Sequence, residues 1–263
     1  MTIDIFQIDA FTNKLFGGNP AAVCPLTEWL PNETLLNIAR ENNLAETAYF
    51  IHKKDNRFHL RWFTPEIEID LCGHATLGSA FVIFNCLNYN FESVVFETLS
   101  GDLIVSRNGE CLEMDLPSRP PKPSELPQII KTSLNKQPTE IYKARDYVLV
   151  YDNEEDIKNL KVSASKLEDI NIDPGGIIVT AKGNHSDFVS RFFTPGAAVF
   201  EDPVTGSAHC TLVPFWAERL GKNDLHAFQI SKRKGELFCK LVKDRVFIKG
   251  SAIKFLEGKI KLT

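Results

Sequence analysis

Apolar and polar positions nearly alternate along two aromatic-rich stretches, Phe58-His59-Leu60-Arg61-Trp62-Phe63 and Asp187-Phe188-Val189-Ser190-Arg191-Phe192. A period of two predicts strands with one face turned to a core. Shortly after each stretch the pattern changes. Residues 74–84 hold no formally charged side chain apart from a possible histidinium, and residues 207–217 lack Asp, Glu, Lys and Arg. A helix that is apolar on every face is a buried one, so each half predicts a central helix, with Pro214 expected to kink the second. Residues 32–43 differ: they follow Pro31 and gather Leu35, Leu36, Ile38 and Ala39 near one face, the pattern of an amphipathic surface helix. The second half of the next stretch, residues 43–51, reads as a strand.

These patterns belong to an internal repeat. Arg61-Trp62-Phe63-Thr64-Pro65 returns as Arg191-Phe192-Phe193-Thr194-Pro195, and Cys72-Gly73-His74-Ala75 returns as Thr205-Gly206-Ser207-Ala208. Gly101-Asp102-Leu103 has its counterpart in Gly235-Glu236-Leu237, followed in both halves by a further strand-like segment, residues 111–116 and 245–249. Landmarks kept in one order point to duplication. Between the copies lie Pro117, Pro120, Pro121, Pro123 and Pro127, five of the fourteen prolines, which disfavour helix and interior strand alike. The expected organisation is an N-terminal half over residues 1–118, a Pro-rich linker over 119–127 and a C-terminal half over 128–263. Each half is expected to be α+β, a mostly antiparallel sheet wrapped around one apolar helix.

Composition narrows the partner. With 263 residues and 43% apolar side chains there is enough to fill a core in each half, and a net charge of -4 gives no basic footprint for nucleic acid. A small molecule is the expected partner. The first residues mix acids with apolar side chains and have no basic residue before Lys14, so no signal peptide is expected, and no apolar run approaches the roughly 20 residues of a membrane span. The six cysteines show no C-x-x-C pair and no nearby Cys/His cluster at zinc spacing. Neither disulfide framework nor metal site is expected, which fits a reduced, cytoplasmic protein. Gly17-Gly18-Asn19 does not make a G-x-G-x-x-G fingerprint and no Walker motif is present, so no nucleotide cofactor is expected.

Gly73-His74 and Gly206-Ser207 stand where the two buried helices would start. Free N–H groups and the helix dipole make such ends receptive to a carboxylate or phosphate, and two of them could form a cradle between the halves; alternatively, the glycines only ease tight turns. Glu46, set among Leu44, Ala45 and Ala48, would lose part of its water there, a setting suited to general acid–base work, or it is an ordinary solvated acid. Asp202 precedes Pro203 and reads either as a site residue or as a turn aspartate. Cys72 is either a thiolate activated at a helix start or a small buried hydrophobe.

Four segments, Gly18-Asn19-Pro20-Ala21-Ala22-Val23, Leu44-Ala45-Glu46-Thr47-Ala48, Leu71-Cys72-Gly73-His74-Ala75-Thr76 and Glu201-Asp202-Pro203-Val204-Thr205-Gly206-Ser207-Ala208, resemble the hallmarks of the phenazine-biosynthesis PhzF-like family. The resemblance implies a diaminopimelate-epimerase-like fold with two pseudo-symmetric halves and a cofactor-independent, homodimeric isomerase. It implies Glu46 as the acid and base that moves a proton, with His74, Asp202 and Ser207 completing the catalytic set. Asn19, Cys72, Gly73, Thr205 and Gly206 would contact a small carboxylate substrate. In the namesake reaction, trans-2,3-dihydro-3-hydroxyanthranilate is isomerised without metal or organic cofactor. Cys72 and Ala75 depart from the Ala-Gly-His-Pro associated with phenazine enzymes, which places this chain among broader relatives.

Two other readings compete. An amino-acid racemase or epimerase of the same fold would use two opposed cysteines, but the repeat counterpart of Cys72 is Thr205, whose hydroxyl is too weak an acid to serve as second base. A binding module that turns nothing over would differ in turnover rather than affinity.

Overall fold

The computed structural model describes every residue except Asn171, Asp173, Pro174, Ala198 and Thr263. The chain forms two compact units, residues 1–115 with 248–263, and residues 116–247. The expected C-terminal half, 128–263, therefore does not stay together. Its last strand, Ala252–Lys261, pairs antiparallel with β1 (Thr2–Ala10) from one end to the other and is part of unit 1. Nor do residues 119–127 hang as a free linker, since Ser118 N–H donates to Asp244 O at 2.9 Å and Arg119 N–H to Cys210 O at 2.8 Å. The prolines sit where no N–H is required, Pro123 in a two-residue edge strand and Pro127 just before a helix.

In unit 1, β1 also pairs antiparallel with β2 (Asn19–Leu26). After α1 (Asn32–Asn42) the chain adds β3 (Glu46–Lys54) parallel to β2, then β4 (Arg57–Phe63) antiparallel to β3. The short β5 (Glu68–Ile69) folds back on the end of β4, and α2 (Gly73–Phe81) follows, running on into a π-helical turn over Val82–Cys86. Then β6 (Ser93–Thr98) joins β4 in parallel, and β7 (Gly101–Asn108) and β8 (Cys111–Pro117) extend the sheet antiparallel.

β3 is buried on both faces at its start, and that determines its sequence. Tyr49 packs with Leu35, Ile38 and Ala39 of α1 and donates its hydroxyl to Leu35 O at 2.8 Å. Its neighbours Ala48 and Phe50 point to the opposite face, as the two-residue period requires. α2 is buried from Gly73 to Ala80, which explains the absence of charge along it.

Unit 2 repeats the scheme. β9 (Lys122–Pro123) pairs with β10 (Glu140–Lys143), which pairs with β11 (Tyr147–Val150), and α3 (Gln128–Ser133) lies between β9 and β10 in sequence. After α4 (Glu154–Asn159), β12 (Ile177–Lys182) lies parallel to β11 and antiparallel to β13 (Phe188–Phe193). The short β14 (Glu201–Asp202) folds back on β13, and α5 (Gly206–Leu220) follows, unbroken through Pro214. β15 (Asp224–Gln229) joins β13 in parallel, and β16 (Gly235–Val242) and β17 (Arg245–Gly250) complete the series. The duplication reaches side-chain detail. Arg61 holds Glu68 with two bonds of 2.7 and 2.6 Å, and Arg191 holds Glu201 with two of 2.7 and 2.9 Å, each pinning the short strand to the strand before it. Among the described residues, no helix is long and apolar enough to cross a membrane.

Candidate functional site

Because β2 and β3 are parallel and neighbouring, their first residues lie at the same end of the sheet, with Ala21 opposite Glu46. α2 packs on both strands and starts at that end with Cys72 as its N-cap. Four side chains from three elements meet there. Asn19 Nδ2 lies 3.0 Å from His74 Nδ1, Cys72 Sγ lies 3.5 Å from the same nitrogen, and His74 Nε2 lies 3.0 Å from Glu46 Oε2. The Nε2–Oε2 contact is close enough for an ion pair but too poorly aligned for a hydrogen bond, and neither atom has another hydrogen-bond partner. His74 is almost wholly enclosed, while the Glu46 side chain keeps 16% of its exposure. Glu46 is the member that a small molecule can reach.

Asn19, expected as a substrate contact, has no exposed surface, and its Nδ2 is directed at the His74 ring. That location follows from a tight loop before β2, in which Phe11, Phe16 and Gly18 all have positive φ and Phe16 N–H donates to Asp9 Oδ2 at 3.0 Å. Burial works against a charged His74 ring, but the Cys72 sulfur and the Glu46 carboxylate beside it outweigh burial and hold the His74 pKa well above its ordinary value. The Asn19 amide suits both charge states: Nδ2–H donates to a bare Nδ1, and the turned amide offers Oδ1 to an Nδ1–H. Asn19→Asp, which can only accept, is expected to raise the His74 pKa further, and Asn19→Leu to lower it. Nitrogen-15 NMR titration of the ring reads both, and equal titration in the two variants would overturn the coupling.

Cys72 is the small buried residue of the two readings given above. Burial and the nearby Glu46 push its thiol up to about 11, beyond the lowering influence of His74. A helix start does not activate a thiol that has lost its water.

In unit 2 the corresponding turn between β14 and α5 carries Asp202, Thr205, Gly206 and Ser207. Thr205 occupies the N-cap position that Cys72 holds in α2, and its hydroxyl donates a very short hydrogen bond to Asp202 Oδ2. Gln229, wholly buried at the end of β15, fixes the turn from behind. Its Oε1 accepts from Thr205 N–H at 2.8 Å, and its Nε2 donates to Asp202 O at 2.7 Å and to Thr205 Oγ1 at 3.2 Å. Thr205, expected as a substrate contact, thus spends its hydroxyl and N–H inside the protein. Gly206 is buried, whereas Ser207 is partly exposed.

His209, a turn into α5, donates Nδ1–H to Thr205 O at 2.9 Å, and burial drives its pKa down to about 4. Sequence reasoning passed over both Gln229 and His209. The only local signal was the four-residue spacing from Thr205 to His209, which places them one helical turn apart. A ring of ordinary pKa in the unfolded chain takes a proton between pH 6.5 and 4 that the folded ring refuses. Stability from this group is therefore full above pH 6.5 and lost as pH falls toward 4, by roughly 3 kcal/mol. Urea unfolding at pH 7 and pH 4.5 should show a smaller acid loss in His209→Gln than in the parent chain, and equal losses would rule out the buried neutral ring.

Ligand atoms of Glu46, Cys72 and His74 lie within 4.8 Å of one another. Linear spacing could not reveal the set, because Glu46 arrives from β3 while the other two start α2.

Comparison with known proteins places this architecture. The profile of the phenazine biosynthesis-like protein family (PhzC-PhzF) matches residues 8–258. An uncharacterized isomerase of Pseudomonas aeruginosa is 46% identical over 262 residues, covering 100% of both chains. A human phenazine biosynthesis-like domain-containing protein is 42% identical over 285 residues, with 98% of this chain and 99% of the other covered. The crystal structure of a PhzF-family protein from Enterococcus faecalis superposes with a TM-score of 0.94 at 42% identity, over 100% of both chains. A probable proline racemase from Agrobacterium radiobacter shares only the fold, with a TM-score of 0.64 at 10% identity over 99% of this chain and 93% of the other. The fold is diaminopimelate-epimerase-like, and the chain belongs to the phenazine biosynthesis-like, PhzF, family.

Proposed function

We propose that the protein is an isomerase that shifts a proton within a small carboxylate substrate, with Glu46 as the single acid and base. The observation that carries this reading is the Glu46–His74 contact of 3.0 Å, in which a reachable carboxylate is backed by an enclosed ring of raised pKa. Glu46 takes a proton from a carbon of the substrate, the electron pair moves into the neighbouring conjugated system, and Glu46, its proton exchanging with solvent, delivers a proton to another carbon. Reactants and products balance with no further reagent. Positive charge on His74 would stabilise the negative charge that develops as the first C–H bond breaks. Ser207 and the N–H groups at the start of α5 suit a carboxylate anchor.

The two-base racemase reading has less support: Cys72 holds its proton with a pKa near 11, and the Thr205 hydroxyl is engaged by Asp202. Proton NMR in deuterated water tests the proposal, with trans-2,3-dihydro-3-hydroxyanthranilate and, separately, a panel of amino and hydroxy acids. Glu46-dependent deuterium incorporation supports it; absence of exchange throughout favours a protein that binds such acids without turning them over. Ser207→Ala is expected to weaken substrate binding by about tenfold, the loss of one hydrogen bond to a charged group, with a smaller effect on turnover at saturation. An unchanged KM would exclude Ser207 as an anchor.

A further inference from the structure

We propose that Gln229 is a positioning residue that keeps the start of α5 open to the substrate carboxylate by holding the Thr205 side chain away from it. The proposal rests on the reading given above, in which Ser207 and the first N–H groups of α5 anchor that carboxylate.

A threonine at an N-cap ordinarily turns its hydroxyl oxygen toward the helix and accepts from the second or third helical N–H. Thr205 has the extended backbone of such a cap, with φ -111° and ψ 97°, yet its side chain makes no capping bond to α5. Gln229 Nε2 donates to Thr205 Oγ1 at 3.2 Å, and Thr205 donates its one hydroxyl proton to Asp202 Oδ2. Backbone groups fix the direction of this chain. Thr205 N–H can only donate and Asp202 O can only accept, so the Gln229 amide must present Oε1 to the first, at 2.8 Å, and Nε2 to the second, at 2.7 Å. The remaining N–H of Nε2 is then committed to Thr205 Oγ1, which leaves Asp202 as the acceptor for the threonine proton. Gln229 has no exposed surface, so bulk water does not compete for its amide. In the other half α2 starts with Cys72, whose thiol is a weak acceptor and caps poorly without any restraint.

Without the Gln229 amide, Thr205 Oγ1 would lose its donor in a buried place, and α5 offers it the N–H groups of Ser207 and Ala208, the second and third of the helix. The rest of the turn would remain tied down. Ser231 donates to Pro203 O at 2.8 Å, and His209 Nδ1–H donates to Thr205 O at 2.9 Å. Release is therefore a rotation of one side chain rather than collapse of the turn, and it sets a threonine oxygen against the N–H groups that the carboxylate needs.

The test uses the full-length chain with Gln229→Met and, as a second variant, Gln229→Asn, which keeps the amide but is one methylene short. Each is also made together with Thr205→Val, which matches threonine in shape and cannot cap. In proton–nitrogen NMR without substrate, the Ser207 or Ala208 amide proton should move downfield in the single variants, as a new hydrogen bond requires, and return in the double variants. With trans-2,3-dihydro-3-hydroxyanthranilate in deuterated water, the single variants should raise the KM for exchange by about tenfold and change kcat less. In the Thr205→Val chain the same Gln229 substitutions should raise KM no further. Folded single variants without the downfield shift, or a KM rise that persists undiminished in the Thr205→Val chain, would overturn the role of Gln229 and leave the isomerase reading intact. The downfield shift with an unchanged KM would overturn the start of α5 as the anchor. The shift in the variants, with no Glu46-dependent exchange in the parent, would keep the restraint on Thr205 and sink the isomerase reading.

Discussion

Glu46→Gln is expected to lower proton exchange by about three orders of magnitude, within the range for removing a positioned acid–base group, while substrate binding changes little. Glutamine matches the carboxylate in shape, so β3 and the packing around His74 should survive. What it removes is a group able to carry the proton. It also removes a charge that holds the His74 pKa up, so the ring is expected to titrate lower in the variant than in the parent. The two readouts separate chemistry from damage. A fall in exchange together with a lowered His74 titration places Glu46 at the reaction and beside the ring. Full exchange in Glu46→Gln would end the single-carboxylate mechanism, even with the ring shifted as expected. A misfolded variant would alter the whole NMR spectrum rather than one ring.

Much of the architecture was legible because it is written in local patterns. Alternation marked β4 and β13, the absence of charge marked α2 and α5, and the repeated Arg-x-Phe-Thr-Pro marked the duplication. Even the structural reason for that repeat is local in each copy, since Arg61 and Arg191 each clamp an acid a few residues on, Glu68 and Glu201. The last strand was misplaced for the opposite reason. Its side chains are mostly exposed or half-exposed, so no apolar pattern says which sheet it joins; backbone pairing with β1 decides it. The proline cluster misled in a similar way, because a residue without an N–H is as acceptable at a sheet edge as in a loop.

Around the site, the residues of each segment were legible and the relations between segments were not. Asn19 lies 55 positions from His74, and only the packing of α2 on β2 brings its amide to the ring. Whether Cys72 is an activated thiolate or a quiet thiol depends on how much water reaches it, which no neighbour in sequence determines. Gln229 reads as an unremarkable polar strand end until its side chain is seen to bond three groups of the Asp202–Thr205 turn.

Gly18→Ala is expected to destabilise unit 1 by roughly 3 kcal/mol, which for a chain of this size lowers the melting temperature by about 10 °C. Gly18 has φ +60°, and a Cβ there would lie 2.1 Å from Ala10 O and 2.7 Å from Thr12 Cγ2. Backbone cannot yield as the end of a long side chain can, so the loop must move. Gly109 provides the control: its φ is +64°, but nothing lies within 4 Å of the position a Cβ would take. Gly109→Ala should therefore cost only the left-handed conformation, about 1 kcal/mol. The excess at Gly18 measures the overlap itself, and equal losses at the two positions would show that the loop before β2 accommodates a side chain freely. Because Asn19 follows Gly18 directly, the shift also pulls the amide away from His74 Nδ1. The folded fraction of Gly18→Ala should then show a displaced His74 titration that Gly109→Ala lacks, linking one glycine in a turn to the charge state of the ring beside the proposed proton carrier.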